Sequence, residues 1–234
     1  MGEEDQSVTT HEMAELAVMR SKAYAFLSSI YNQLPDRNLA GWLKDEGAAA
    51  LGALNSEGQD DLTAGLKLVK EYLRASADTA PDQVVNDLAV ERTRLLRGIK
   101  PGYGPPPPYE SVYRGTDATS MGQTGQEVLK CYAEAGVGLP ADLRERPDYI
   151  GLELDFMRYL AGKEAQAWQE EKEDEALGWL EQERHFLVEH VVSWIPRFCN
   201  LMEQEAALDF YRGVARITKA FVLTEQERVA ALMG

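Results

Sequence analysis

The sequence predicts an all-α protein: a single globular domain of about nine or ten helices, carried by three observations. Apolar residues recur at helical spacing in every long patterned stretch. Period-2 alternation never persists with β-branched residues, so no strand is expected. Helix-start signals, an acid or a Ser/Thr at the edge of an apolar pattern, recur along the chain. The 234 residues suffice for one large domain with a buried core, and no internal repeat is visible.

Taken in order, Thr9 and Glu12 have the spacing of a capping box. The helix that follows carries Met13, Leu16, Ala17, Tyr24, Leu27 and Tyr31, and ends at Leu34-Pro35. A short helix holds Leu39, Trp42 and Leu43 and breaks near Gly47, and the run from Ala48 to Leu54 is ambiguous. Asp60-Asp61 opens a helix through Leu62, Leu66, Val69, Tyr72 and Leu73. Pro81-Asp82 opens the next, with Val84, Leu88 and Leu95 inward. Residues 98–120 then break the pattern and divide an N-terminal helical half, about 9–97, from a C-terminal half, 121–234. Within the break, Pro105 to Pro108 form a stiff polyproline segment that cannot enter a helix interior. Tyr103, Tyr109 and Tyr113 need somewhere to pack, so the segment reads either as a linker or as a docking loop.

In the second half, Met121 to Ala135 is helical, with Val128, Leu129 and Tyr132 aligned and Gly136 as its stop. The next helix is expected from Pro147 to about Gly162, with Ile150, Leu154, Met157 and Ala161 as its stripe. Asp148 would cap it, and Glu153, an acid in an apolar setting, would pair with Arg144 or Arg158. The charge run Glu170 to Glu175 reads as a solvated helix start. Behind it Ala176, Trp179, Leu180, Glu183, Leu187, His190, Val191 and Trp194 form one stripe, which Pro196 ends or kinks. Leu201-Met202 and then Phe210, Val214, Ile217 and Phe221 make a last helix, with Thr224 and Glu227 spaced as a second capping box.

Composition narrows the function. With 24 basic and 39 acidic residues the formal charge is -15, which argues against nucleic acid and suits a cationic partner. Cys131 and Cys199 make no metal spacing and no disulfide framework, so both are expected as buried free thiols in a reducing compartment. The acidic start Met1-Gly2-Glu3-Glu4-Asp5 is unlike a signal peptide, and no apolar run approaches the ~18 residues that span a bilayer. A cytoplasmic protein without stable membrane insertion is therefore expected.

Enzyme signatures fail one by one. His185 and His190 are five apart, about 140° around a regular helix, so they cannot share a face. No Glu lies three residues before a histidine, which removes the di-iron bundle pattern. Gly102-Tyr103-Gly104 lies among prolines and not between a strand and a helix, and there is no phosphate loop or nucleophile elbow. His190 reads as a packed, hydrogen-bonded residue. No catalytic residue, cofactor or metal is expected, and the chain reads as a binding protein. Two alternatives stay open: a helical small-molecule or cofactor-handling enzyme using Glu153 as acid or base, and a non-catalytic oligomerisation scaffold.

The stretch from Pro147 to Met157, PDYIGLELDFM, resembles the signature helix of the TorD/DmsD/NarJ family of redox-enzyme maturation chaperones. So do Leu95-Leu96-Arg97-Gly98 running into Pro107-Pro108-Tyr109-Glu110-Ser111-Val112-Tyr113, and His190 to Phe198 followed by Phe210-Tyr211. The resemblance implies an all-helical cytoplasmic chaperone. It would hold the twin-arginine signal peptide, or the apo form, of a molybdopterin oxidoreductase catalytic subunit until cofactor insertion and folding finish, before export. It places peptide-binding residues at Pro108, Tyr109, Ser111, Asp148 and Tyr149. Local chemistry adds Leu95, Tyr113, Glu153 and Phe156, since guanidinium groups pair with carboxylates and an apolar peptide lies in a groove between helices. The family pattern has Asp-His where this chain has Asp148-Tyr149, so an imidazole role is not carried over. A monomer and a homodimer exchanging helices about the Pro-rich segment are both compatible with the sequence.

Overall fold

The computed structural model describes residues 9–37, 60–98, 102–115, 118–140 and 143–234. The helix expected around Leu39 to Leu54, the N-terminal residues 1–8 and Pro101 lie outside the described residues. The described chain is helical throughout: α1 Thr10–Asn32, α2 Asp60–Ala75, α3 Pro81–Leu96, α4 Glu110–Arg114, α5 Ala118–Glu134, α6 Ile150–Gln169, α7 Glu173–Phe186, α8 Val192–Glu205 and α9 Asp209–Leu232. A π turn, Leu187–Val191, joins α7 to α8 without a break. Among the described residues there is no strand, only an isolated antiparallel bridge between Tyr109 and Tyr149.

The start signals act where the sequence put them in the first half. Thr9 caps α1 with a full capping box: the Glu12 N–H donates to Thr9 Oγ1 at 3.2 Å, and the Thr9 N–H donates to Glu12 Oε2 at 2.8 Å. Asp60 and Asp61 lie in the first turn of α2, and Pro81 opens α3. Helix α1 packs along α6, α9 lies against both α2 and α8, and α6 lies against α7. The α2–α9 crossing depends on two glycines. A Cβ on Gly213 would sit 2.6 Å from the Gly65 carbonyl oxygen, and one on Gly65 would sit 2.9 Å from that of Gly213. Nothing larger allows the two backbones so close.

Four boundaries differ from expectation. The stretch 98–120, expected to be non-helical, contains α4 at Glu110–Arg114 and the start of α5 at Ala118. Helix α6 starts at Ile150 and runs to Gln169, so Pro147 and Asp148 form the turn before it. Pro196 neither ends nor separates a helix: α8 passes through it to Glu205 and includes Leu201-Met202. The π turn just upstream has already widened the hydrogen-bond ladder, with the Val192 N–H reaching Leu187 O. Buried Trp194, Ile195, Phe198, Cys199 and Met202 on both sides of the proline then hold the helix in place. Thr224 lies inside α9, so the Thr224–Glu227 spacing caps nothing; local cap chemistry yields to an apolar face that continues through Phe221, Val222 and Val229.

At the centre of α1, α6, α7 and α9 sits Arg20, fully buried. Its Nη1 donates to Glu164 Oε2 at 2.7 Å, its Nε to Glu225 Oε2 at 2.8 Å, and its Nη2 to Glu183. Arg228 closes on the outer side of Glu225, and Trp168 Nε1 donates to Glu164 Oε1 at 3.0 Å. Three carboxylates face two guanidiniums. Burial first, and then the charge of Glu164 against the attraction of Arg20, leaves the Glu183 carboxyl well above the usual carboxylate range.

Replacing Arg20 by Met should therefore cost about 3–5 kcal/mol at pH 7, because it strands carboxylates without a cation. Urea denaturation at pH 7 and pH 5 checks this. The deficit should narrow at pH 5, where the orphaned carboxylates take up protons, and an equal deficit at both values would contradict the electrostatic account.

Candidate functional site

The Pro-rich segment folds back onto α3. Arg94 Nη1 donates to Tyr103 O at 3.2 Å, and a Cβ on Gly104 would collide with the Arg94 carbonyl oxygen at 2.4 Å, so only glycine allows this approach. The Tyr113 hydroxyl donates to Pro106 O at 2.6 Å, and its ring lies 5.4 Å from Trp194 and 5.9 Å from Phe198. The prolines thus deliver the chain to a packed position against α3 and α8.

The starts of α4 and α6 are tied to each other. The Glu110 N–H donates to Asp148 O at 2.9 Å, and the Ile150 N–H donates to Pro108 O at 3.1 Å. This reciprocal bridge swings the Asp148 side chain over α4. Its Oδ2 accepts from the Ser111 N–H at 3.1 Å and from Arg146 Nη2 at 3.2 Å, while Arg146 Nη2 also donates to Ser111 Oγ at 2.6 Å. Asp148 therefore caps α4 and not, as expected, its own helix; α6 is capped by Tyr149 without a side-chain bond. The second oxygen of Asp148, Oδ1, is buried and has no donor.

Beneath this knot lie two more buried carboxyls. Glu110 faces His190, whose Nδ1 is 2.9 Å from Oε2 and 3.1 Å from Oε1, and it also pairs with Arg114. Glu153 accepts from Trp194 Nε1 at 2.9 Å. The Arg expected beside it is absent: Arg158 pairs with Asp155 at 2.6 Å, and Arg144 is exposed. The direction of α6 turns Glu153 inward, toward Trp194 and Glu110. Burial first, and the neighbouring Glu110 second, push its carboxyl well above the usual range. Burial depresses the His190 imidazole, but contacts with Cys131 and Glu110 outweigh this and push it up to about 9.

The aromatic residues seal the knot. Tyr109 lies 5.6 Å from the Tyr149 ring, under the Arg146 guanidinium at 5.1 Å, and its hydroxyl donates to Glu145 Oε2 at 2.8 Å. Burial, then Glu145, push that hydroxyl up to about 12. The Tyr149 hydroxyl reaches Tyr31 O at 2.6 Å, so the residue standing where the family pattern has His anchors α1 to this site.

Of the nine candidate residues, Pro108, Tyr109, Ser111, Asp148 and Tyr149 meet in the knot, and Glu153 joins it through Glu110. Tyr113 lies on the Trp194 side of α4. Leu95 is in the hydrophobic core, apart from the rest. Phe156 packs 4.6 Å from Tyr132 and 4.7 Å from Phe186, and floors a groove of about 270 Å³ between α5, α6 and α7. Only Tyr109 and Tyr113 among the nine are half-exposed; the other seven are buried. Sequence reasoning passed over Glu110, Arg146 and the pairing of Glu110 with His190. Both partners lie inside stretches that carried the resemblance, but no local spacing joins residues eighty positions apart.

A family model described as nitrate reductase delta subunit matches residues 59–200. A relative from Vibrio cholerae serotype O1, named chaperone protein TorD, is 27% identical over 215 residues, covering 90% of this chain and 93% of its own length. The chlorate reductase assembly chaperone protein of Ideonella dechloratans is 34% identical over 95 residues, 40% of this chain and 48% of that protein. The selenate reductase assembly chaperone protein of Thauera selenatis is 32% identical over a stretch of the same length.

Two pH effects follow from the buried groups. His190 is raised above its unfolded value, so its contribution is fully present below about pH 6.5 and is lost as pH rises through about 9. Unfolding free energy should fall by about 2 kcal/mol between pH 6.5 and 9.5, and His190→Gln should flatten that slope. Glu153 is raised as well, so its stability also declines with rising pH. Glu153→Gln keeps the acceptor for Trp194 and offers an N–H to Glu110, and should gain about 1 kcal/mol at pH 8 while matching the parent at pH 5. Denaturant titrations across this range check both; a destabilised Glu153→Gln at pH 8 would mean that Glu153 is ionised.

Proposed function

Since the chain belongs to the nitrate reductase delta subunit family, we propose that this redox-enzyme maturation chaperone works by holding the twin-arginine signal peptide of a molybdenum-cofactor oxidoreductase until that enzyme has folded around its cofactor. The observation that carries the reading is the likeness to chaperone protein TorD relatives along 90% of the chain. The charge of -15 suits a cationic ligand. No helix among the described residues is long and apolar enough to cross a membrane.

The knot suggests how an arginine would be read. Asp148 Oδ1 is buried without a donor, while Oδ2 is shared by the Ser111 N–H and Arg146. The Arg146 side chain is about half exposed and can swing away. An incoming guanidinium that replaces it presents a planar fork to both oxygens and supplies the missing donor. Tyr109 and Tyr113, half-exposed on either side, offer aromatic faces for the peptide. Pro108, Ser111, Tyr149 and Glu153 act from beneath by fixing where α4 and α6 begin. The apolar part of the peptide lies toward the groove floored by Phe156, with Leu95 supporting the core behind the knot.

Calorimetric titration with the client's leader peptide tests this. Asp148→Asn should weaken binding about tenfold, because Asn cannot accept a paired guanidinium on both atoms. Arg146→Ala should bind at least as tightly as the parent, since no side chain need be displaced. Changing both peptide arginines to lysine should weaken binding at every salt concentration, and a scrambled peptide of equal charge should bind weakly. Equal affinity for native and scrambled peptides would mean that the acidic surface attracts any cation, and the reading would fail.

A further inference from the structure

Cys131 departs from the expectation of a buried, inert thiol. It is half-buried on α5 and opens into the 270 Å³ groove, whereas Cys199 is buried in the core of α8. Its Sγ lies 3.7 Å from His190 Nε2, within reach of a sulfur hydrogen bond. On the other side of the ring, His190 Nδ1 is held at 2.9 Å by Glu110, itself fully buried. Nucleophile, imidazole and orienting carboxylate stand in line. With Nδ1–H directed at the Glu110 carboxylate, Nε2 is left for the sulfur: it accepts from a thiol, or donates to a thiolate once the ring is protonated. The π turn makes this possible. Five residues apart on a regular helix, His185 and His190 would point apart; here His185 lines the groove that Cys131 opens into, and His190 reaches its sulfur.

We propose that Cys131 is a reactive thiol and a redox-modification site, poised by His190 and Glu110 to exchange with small disulfides that enter the groove. In the step, the Cys131 thiolate attacks one sulfur of the incoming disulfide. A new sulfur–sulfur bond forms, the old one breaks, and the departing thiolate leaves with the electron pair and takes up a proton at neutral pH. Cys131 is oxidised to a mixed disulfide and half of the reagent is reduced, so no other oxidant is needed. The groove suits a small partner, with Phe156 and Phe186 as its apolar wall and Gln182 available for a polar contact.

Other charged groups face this centre: Arg114 behind Glu110, Glu153 from α6, Glu134 on α5, and Glu181 and His185 on α7. Glu134 and Glu181 already carry partners of their own, Lys130 at 3.6 Å and Arg184 at 2.6 Å, which leaves His190 as the cation beside the sulfur. The groove is the one toward which the apolar part of a leader peptide would lie, but the thiol chemistry is read on the chain without peptide, so thiol reactivity and peptide affinity test different claims.

The test compares alkylation by iodoacetamide of the native and the urea-unfolded chain, read residue by residue by mass spectrometry. At pH 6.5 native Cys131 should react at least about fivefold faster than the same thiol in the unfolded chain, with the advantage shrinking toward pH 9. Native Cys199 should stay unlabelled, since burial pushes its thiol up and shields it. Glutathione disulfide should add one glutathione per native chain, reversed by dithiothreitol and absent in Cys131→Ser. His190→Gln, checked for folding by circular dichroism, should lose the advantage at pH 6.5. Native Cys131 reacting no faster than the unfolded thiol at pH 6.5, or forming no adduct with glutathione disulfide, would overturn the proposal without any variant.

Discussion

One guanidinium holds the bundle in register. Arg20 reaches a carboxylate on each of α6, α7 and α9 from its place on α1, so four helices from distant and adjacent parts of the chain meet at one cation. A planar donor with fixed directions leaves little freedom for any of them to slide or rotate. Apolar packing alone would tolerate several registers, because methyl groups have no preferred partner. The long α1–α6 contact runs past this cluster, which joins the two helices through Arg20 and Glu164.

The start of α6 in turn places the candidate site. Because Pro147 and Asp148 form a turn rather than a helix end, the Asp148 carbonyl and the Ile150 N–H are free to bridge to Glu110 and Pro108. The bridge lends Asp148 to α4, a helix of five residues too short to hold itself. Three acids then crowd beneath it, at Glu110, Asp148 and Glu153. They are accommodated by different means: His190 and Arg114 for Glu110, Arg146 and a backbone N–H for Asp148, and the Trp194 indole N–H with a carboxyl pushed up by burial for Glu153. Such a site is stiff and electrostatically loaded, with one unsatisfied oxygen on Asp148 and another on Glu153.

The π turn serves the same end of the molecule. One extra residue per turn lets His190 meet Glu110 and Cys131 while Trp194, further along, still reaches Glu153. It also precedes Pro196 and so allows α8 to continue where a proline would ordinarily break it. Irregular backbone is retained here because buried polar contacts on both sides repay it.

By itself the sequence determined the class of this protein and most of its helices. Apolar residues at helical spacing need only neighbours within a few turns, so α1, α2, α3 and α5 begin close to where Thr9, Asp60, Pro81 and Met121 indicate. It also singled out Asp148, Glu153 and His190 as polar groups in apolar surroundings, and all three are buried. What it could not determine is whom they meet. Asp148 looked like the cap of the helix beside it and serves another; Glu153 looked paired with an arginine and meets the Trp194 indole instead. Pro196 and Thr224 looked like boundaries and lie inside helices. Each difference has one physical cause. Local signals compete over a few residues, whereas a buried charge is settled by whichever groups the packed helices bring within about 3 Å, and those come from anywhere in the chain.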